Sequence, residues 1–196
     1  MAKWAIPKAF IGATVIYRFS DGSSSKFATQ LKNASATTVS RSEYFIRPGS
    51  AMLGQKGDYS RSLFGILSLQ DGVPGDFIYR RWRYGAAADG IWHAPVGQIT
   101  SIPFDEYSNI NGSPRTINGQ MRVKLLGCAD IRTGQLTEAA KVFRVVRPVR
   151  VRDVRSVPAV ESITIQDLRY YISIRHGLML RQDGVGGATI IDQILR

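Results

Sequence analysis

The sequence predicts a mainly β protein, built as an antiparallel β-sandwich or barrel with long loops and a short C-terminal helix. Two observations carry this prediction. Short runs of β-branched and aromatic residues are bounded by Gly, Pro and Ser, which is typical of strands. Asp-Gly and Asn-Gly dipeptides, which favour the positive φ angles of tight hairpin turns, recur along the chain. They begin at Asp21, Asp71, Asp89, Asn111, Asn118 and Asp183.

The strand-like runs follow one another at short intervals. Because a sheet must bury one face, a sandwich or a barrel is the natural way to pack them. The polar stretch 32–42 reads as a loop or a solvated edge strand, and 47–62 as a long loop. In chain order, the runs are ATVIYRFS, SKFATQL, EYFIRP, LFGILSL, DFIYRRWRY, GQITSIPF, MRVKLLG, KVFRVV, VRVRDV and ESITI.

The C-terminal third leaves two interpretations open. Thr164 followed by Asp167 is a pattern that caps a helix, which would run through LRYYISIRHGLML. The same stretch also fits a hairpin that turns at His176 and Gly177, and we favour strands for its first half. Further on, isoleucine and leucine recur at helical spacing in ATIIDQILR, which predicts a short terminal helix.

A chain of 196 residues is long enough for one well-filled core, so we expect a single β-rich domain over 1–196. Residues 1–12 and 47–62 are candidates for extended arms, because long loops in compact domains are often ordered by a partner. No apolar run is long enough to span a bilayer, and the N-terminus lacks the pattern of a signal peptide. These features predict a protein of the cytoplasm or of a virion.

Net charge is the strongest global signal. There are 26 basic and 15 acidic residues, giving a net charge of +11. Most of the basic residues are arginine, which holds phosphate and carboxylate bidentately and suits interfaces. Such a protein typically meets nucleic acid, an acidic protein surface or an anionic membrane.

The catalytic inventory is small. The chain has two histidines and one cysteine, and its acidic residues do not cluster at the spacings typical of metal sites. The glycine cluster DGVGGAT lacks the residues of a phosphate-binding loop. We therefore expect no metal, no cofactor and no enzymatic activity.

One basic stretch, DFIYRRWRYG, mixes arginine with aromatic residues. As a strand it would display Arg80, Trp82 and Tyr84 on one side, with Arg81 and Arg83 on the other. Arginine and aromatic side chains together can neutralise phosphates and stack on bases. The competing interpretation is a strand half buried by Trp82, with arginines lying over aromatic faces.

A second basic stretch, FRVVRPVRVRDVR, alternates arginine with valine. Period two places Arg147 on the apolar face as its one exception, and Pro148 is compatible only with a sheet edge or a bulge. Five like charges in so short a span predict a binding face on an edge strand. These residues are Arg144, Arg147, Arg150, Arg152 and Arg155.

Together these features predict a non-enzymatic structural component of a large assembly, such as a virion or tail component or a basic linker among acidic subunits. Its partners would be protein subunits with acidic surfaces, in a homo-oligomer or a hetero-complex. A DNA- or RNA-binding β-domain, or a ribonucleoprotein subunit, is the alternative. We rank it second because arginine is spread along the chain, whereas dedicated nucleic-acid binders concentrate charge on one face.

Overall fold

The computed structural model describes residues 3–20, 26–46, 56–133, 136–153, 160–185 and 187–195. These residues form a closed antiparallel barrel of twelve strands. Two 3-10 helices, Lys8–Phe10 and Ala86–His93, accompany it. The strands are β1 Thr14–Phe19, β2 Lys26–Ala34, β3 Thr38–Ile46, β4 Lys56–Leu63, β5 Leu67–Asp71, β6 Ile78–Tyr84, β7 Ile99–Ile110, β8 Ser113–Thr133, β9 Leu136–Asp153, β10 Val160–Ser173, β11 Met179–Gly184 and β12 Gly187–Leu195.

Each strand pairs with its neighbour in sequence, and the barrel closes where β1 pairs with β12. This up-and-down order confirms the barrel form of the predicted fold class and excludes the sandwich. Closure leaves a barrel without the free edges that an open sheet would have. β9 therefore pairs with both β8 and β10 along Ala140–Val146, so the predicted edge strand is wrong for that part.

The structure corrects one predicted element and decides between the alternatives at two others. The predicted C-terminal helix is a strand, β12, which pairs on one side with β1 and on the other with β11. The stretch 164–180 is the hairpin of β10 and β11, the second of its two interpretations. The stretch 32–42, predicted as a loop or a solvated edge strand, is mostly strand, because β2 ends at Ala34 and β3 begins at Thr38. Of the predicted long loop at 47–62, residues 56–62 belong to β4 and residues 47–55 lie outside the described residues.

One end of the barrel interior is filled by a large apolar core. Trp92 is fully buried there, with its ring stacked between those of Phe64 and Phe143 at centroid distances of 6.2 and 5.7 Å. Trp4 and Phe10 pack into the same cluster. The described part of the arm predicted at 1–12, residues 3–12, is thus part of the barrel's closed end, because Trp4, Ile6 and Phe10 are buried.

In the described pairing, part of β9 and β10 forms a two-stranded ribbon. From Arg147 to Asp153, the described pairing of β9 is with β10 alone, ending at Asp153 opposite Val160. Pro148 lies in this part, where a missing N–H costs no ladder bond on the β8 side. Ile163 and Ile165 are exposed on the β10 side of the ribbon.

Candidate functional site: an arginine-lined cavity

The register of four neighbouring strands gathers charged side chains on one inner surface. Arg41 of β3 is opposite Ser60 of β4, Ser60 is opposite Asp71 of β5, and Asp71 is opposite Arg80 of β6. Directly paired residues of an antiparallel sheet point to the same face. The row crosses four strands, and all four residues line one cavity.

Another arginine reaches this cavity from β9 and β10. Arg147 is paired with Gln166, and its Nε donates to Gln166 Oε1 at 2.9 Å. Val145 and Phe143, two and four residues earlier on the same face of β9, are buried in the core. Arg147 therefore begins the polar part of a strand face that is otherwise apolar, as period two predicted.

The cavity has a volume of about 450 Å³ and is partly open to solvent. This volume lies within the range of small-molecule sites in proteins, roughly 300–1,000 Å³. Its lining is mixed, with charged, amide, hydroxyl and apolar side chains. The described lining residues are Phe27, Arg41, Glu43, Ser60, Arg61, Ser62, Gly65, Ile66, Ser68, Asp71, Ile78, Arg80, Arg147, Gln166, Leu168, Tyr170, Met179 and Gln182.

The guanidinium groups in the cavity are incompletely paired. Arg41 donates from Nη2 to Ser62 Oγ at 3.3 Å, but its Nε is buried without a hydrogen-bond partner. The Nε of Arg80 is likewise buried and without a partner. Among the described residues, no ion pair within 4.0 Å joins these arginines to Asp71 or Glu43. A buried donor without an acceptor costs free energy, so the site is suited to an incoming anion.

Asp71 is the most perturbed carboxyl group of the cavity. Burial raises its pKa to about 6, and the nearby charge of Glu43 adds to this shift. Arg80, Arg41 and Arg147 oppose the shift without cancelling it. Near neutral pH, Asp71 therefore titrates in a range where a modest change of charge in the cavity alters its protonation.

Tyr170 lines the same cavity, and Tyr84 hydrogen-bonds to a lining residue. Burial raises the pKa of Tyr170, which lines the cavity, above its ordinary value. Burial also raises the pKa of Tyr84, whose hydroxyl donates to Ser68 O at 2.7 Å. Both phenols therefore remain protonated and add no negative charge opposite the arginines, so the carboxyl groups of the cavity are those of Asp71 and Glu43.

The structure separates the predicted basic stretch of β6 into two faces. Arg80 lines the cavity, whereas Arg81 and Arg83 are exposed. Trp82 is buried, with 6% of its surface accessible, and its Nε1 donates to Glu106 Oε2 at 3.0 Å. Its indole is therefore a packed group of the barrel wall, which agrees with the core interpretation of this stretch.

The second basic stretch is divided in the same way. Arg147 lines the cavity, and Arg144 is exposed and paired with Asp167 at 2.6 Å. The backbone places Arg150 and Arg152 in β9, opposite Ile163 and Glu161. Their side chains lie outside the described residues, as does the whole of Arg155. Partner binding through the exposed arginines stays a prediction.

Arg41, Glu43 and Asp71 were not predicted as site residues. Arg41 lies in a serine- and threonine-rich stretch that read as a loop or a solvated edge strand, and Asp71 lies in an Asp-Gly pair that read only as a turn. The turn is present, since Gly72 has a φ of 73°. The available signal was alternation: Arg41 and Glu43 are two residues apart, as are Ser60 and Ser62, so each pair shares a strand face.

Neither a metal centre nor a helical membrane span is found in the part of the chain that the structure describes. No group of three or more His, Cys, Asp or Glu side chains there is arranged to hold a metal ion. No helix in the described residues has the length and apolar character needed to cross a bilayer.

Comparison with known proteins gives a fold likeness alone. No protein-family model and no curated protein matches the sequence. The crystal structure of the hypothetical lipoprotein YmcC from Escherichia coli K12 matches with a TM-score of 0.54 and 9% identity, over 96% of this chain and 86% of that one. A Bacteroides fragilis protein, provisionally described as exported and as having a YmcC-like fold, matches with a TM-score of 0.55 and 8% identity over 100% of both chains.

These neighbours contradict several predictions. They are bacterial proteins described as a lipoprotein and as an exported protein, which opposes a virion or assembly component, a nucleic-acid-binding alternative, and a cytoplasmic or virion location. The barrel also removes part of the physical basis for those predictions. Arg41, Arg80 and Arg147 face the interior, and Arg144 is paired with a carboxylate. The outer surface is therefore less basic than the net charge suggests. In its fold, the chain is similar to YmcC.

Proposed function

We propose that this barrel is a non-enzymatic binding protein that holds a small anionic molecule in the arginine-lined cavity. The observation that carries the proposal is the pair of buried, unpartnered Nε–H groups of Arg41 and Arg80. Buried polar groups are nearly always hydrogen-bonded, and exceptions call for a ligand, water or ion. A carboxylate or phosphate oxygen is the acceptor that guanidinium groups pair with most strongly.

The charge balance of the cavity supports an anion. Arg41, Arg80 and Arg147 face two carboxyl groups, those of Glu43 and Asp71. Burial and the charge of Glu43 favour the protonated form of Asp71, which reduces the negative charge further. A bound anion would therefore enter a site of positive potential that is partly shielded from water.

The lining favours binding over chemistry. A displaced carboxyl pKa in a cavity is also a mark of acid–base catalysis, so Asp71 is the residue on which an enzymatic hypothesis would rest. Neither histidine is among the described lining residues, and His176 instead contacts Glu138 at 3.3 Å in another part of the barrel. We therefore assign Asp71 to tuning the affinity of the site.

The test compares two adjacent arginines on the same strand. The probe is 8-anilinonaphthalene-1-sulfonate, a fluorescent anion, titrated into the wild type, Arg80→Gln and Arg81→Gln. Both variants lose one positive charge, but only Arg80 lines the cavity. We expect at least tenfold weaker binding for Arg80→Gln and less than twofold for Arg81→Gln. Equal affinities for all three proteins would overturn the proposal.

A further inference from the structure

A second cavity adjoins the arginine-lined one. It has a volume of about 270 Å³ and shares three lining residues with the first cavity, namely Gln166, Leu168 and Gln182. These side chains of β10 and β11 therefore have the arginine-lined cavity on one side and the second cavity on the other. A ligand too long for the arginine-lined cavity could extend into the second one.

The second cavity differs from the first in its chemistry. Its described lining includes the apolar side chains of Phe19, Val185 and Ala188, and no charged side chain. Val185 is 98% exposed and Phe19 is 37% exposed, so apolar surface stands uncovered at this rim of the barrel. Apolar surface exposed beside a polar binding cavity marks a place where an apolar part of a ligand can be buried.

Leu168 is the apolar side chain between the two cavities. It is 6% exposed and lines both of them. Its Cδ2 lies 2.7 Å from where a Cβ on Gly184 would be, so the side chain packs closely over the backbone of β11. A ligand that reaches from one cavity into the other therefore has to pass the side chain of residue 168.

We infer that the ligand is an elongated amphiphile, whose single anionic head, a carboxylate or a phosphate, binds the arginine cavity and whose apolar chain crosses Leu168 into the second cavity. This inference rests on the proposed function and adds the class of ligand to it. A short anion would use only the first cavity. A chain of eight to ten carbons would also cover the apolar lining of the second.

The test is a chain-length series. Sodium butyrate, octanoate and decanoate compete with the fluorescent sulfonate for the wild-type protein, and 1-octanol serves as the uncharged control. Decyl phosphate replaces decanoate in a parallel arm to distinguish a phosphate head from a carboxylate head. A buried methylene group strengthens binding by about fourfold, so even partial burial predicts at least tenfold tighter binding of octanoate than of butyrate. We expect octanol to bind at least tenfold more weakly than octanoate.

Variants of the second cavity locate the apolar chain. Thr189→Trp, at a position that lines the second cavity and not the first, should reduce the affinity gain between butyrate and decanoate to less than threefold while leaving butyrate unchanged. Leu126→Trp, at a partly exposed position on β8, should keep the full gain. If Thr189→Trp does not fold, the wild-type series alone decides.

The two proposals fail in different ways. Carboxylates that compete in an Arg80-dependent manner, with no gain from chain length, would overturn the amphiphile and leave the anion site in place. Carboxylates of every length that fail to compete, together with an Arg80→Gln variant that binds the sulfonate like the wild type, would overturn both.

Discussion

Asp71 and Arg80 are direct cross-strand partners on β5 and β6, yet their side chains form no ion pair within 4.0 Å. Side chains that face each other across an antiparallel pair are close enough to interact strongly. Here, burial holds the pKa of the Asp71 carboxyl near 6 despite the arginine opposite. Asp71 is therefore free to titrate, and Arg80 is free to bind an anion.

The raised pKa of Asp71 has a consequence for stability. A carboxyl whose folded-state pKa exceeds its unfolded value of 3.8 binds its proton more tightly in the native state. Its contribution is complete below pH 4 and is lost as the pH rises through 6. Between pH 4 and 7 this group alone should lower the free energy of unfolding by on the order of 2 kcal/mol.

The measurement is urea unfolding of the wild type and Asp71→Asn at pH 4, 5, 6 and 7. Asp71→Asn should lack this loss, so the stability difference between the two proteins should shift in favour of the variant as pH rises. Asp105→Asn, on the outer face of β7, is the control and should follow the wild type. A constant difference between wild type and Asp71→Asn across this range would contradict the shift.

Trp82 should behave as a core residue. It is buried in the barrel wall and hydrogen-bonded to Glu106, so Trp82→Ala should lower the free energy of unfolding by about 3–5 kcal/mol. Arg83→Ser, at an exposed neighbour, should change it by less than about 0.5 kcal/mol. Thermal and urea unfolding measure both. A stable Trp82→Ala protein would instead favour an exposed stacking role for the indole.

Gly177 should be sensitive to a single added methyl group. Its φ is +64°, and a Cβ there would lie 2.7 Å from Ala5 O, in the N-terminal segment that covers the closed end. Gly177→Ala should therefore cost on the order of 2–4 kcal/mol. Gly12→Ala is the matched control, since Gly12 has a φ of +89° with nothing within 4 Å. It should cost about 1 kcal/mol, from the backbone alone. Equal losses in urea unfolding would rule out the contact with Ala5.

The Arg144–Asp167 pair should be nearly irrelevant to stability. Asp167 has a lowered pKa, chiefly because it accepts a hydrogen bond from Arg144, but both side chains are more than 40% exposed. Exposed ion pairs contribute little and are screened by salt. Arg144→Ser should leave the thermal midpoint unchanged within experimental error, at low salt and at 0.5 M NaCl. A lower midpoint that high salt abolishes would show that the pair matters.

Turn residues illustrate what the sequence predicts and what it does not. Asn111 and Gly112 form the two-residue turn between β7 and β8 with φ values of 53° and 73°, as the dipeptide indicated. Asn118 and Gly119 carry the same dipeptide but lie inside β8. A Cβ at Gly119 would lie 2.8 Å from Phe104 Cζ, so this glycine provides room for an aromatic ring. Local preference cannot distinguish a turn from a close packing contact made by a distant residue.

Alternation predicted which arginines share a face, but not which face is the interior. The patterns of β6 and β9 separated Arg80 from Arg81 and Arg147 from Arg144, and the structure confirms both separations. Placing the charged residues inside required the barrel, because only a closed sheet with a partly unfilled interior gives buried arginines a common cavity. The terminal helix was wrong for a similar reason. β12 gains pairing on both sides, and this outweighs the helical spacing of its isoleucines.

The joining of β1 to β12 sets the order in which this barrel can assemble. The ribosome synthesises the strands one after another. Thr14 of β1 can pair with β2 early, but its partner on the other side, Leu195 of β12, is made almost last. Contacts so distant in sequence are slow to form. Until β12 docks, β1 and β11 each display a row of unpaired amide and carbonyl groups, which recruit other chains. The nascent protein therefore has an open sheet with aggregation-prone edges for most of its synthesis. The yield of folded barrel depends on how quickly β12 pairs with β1.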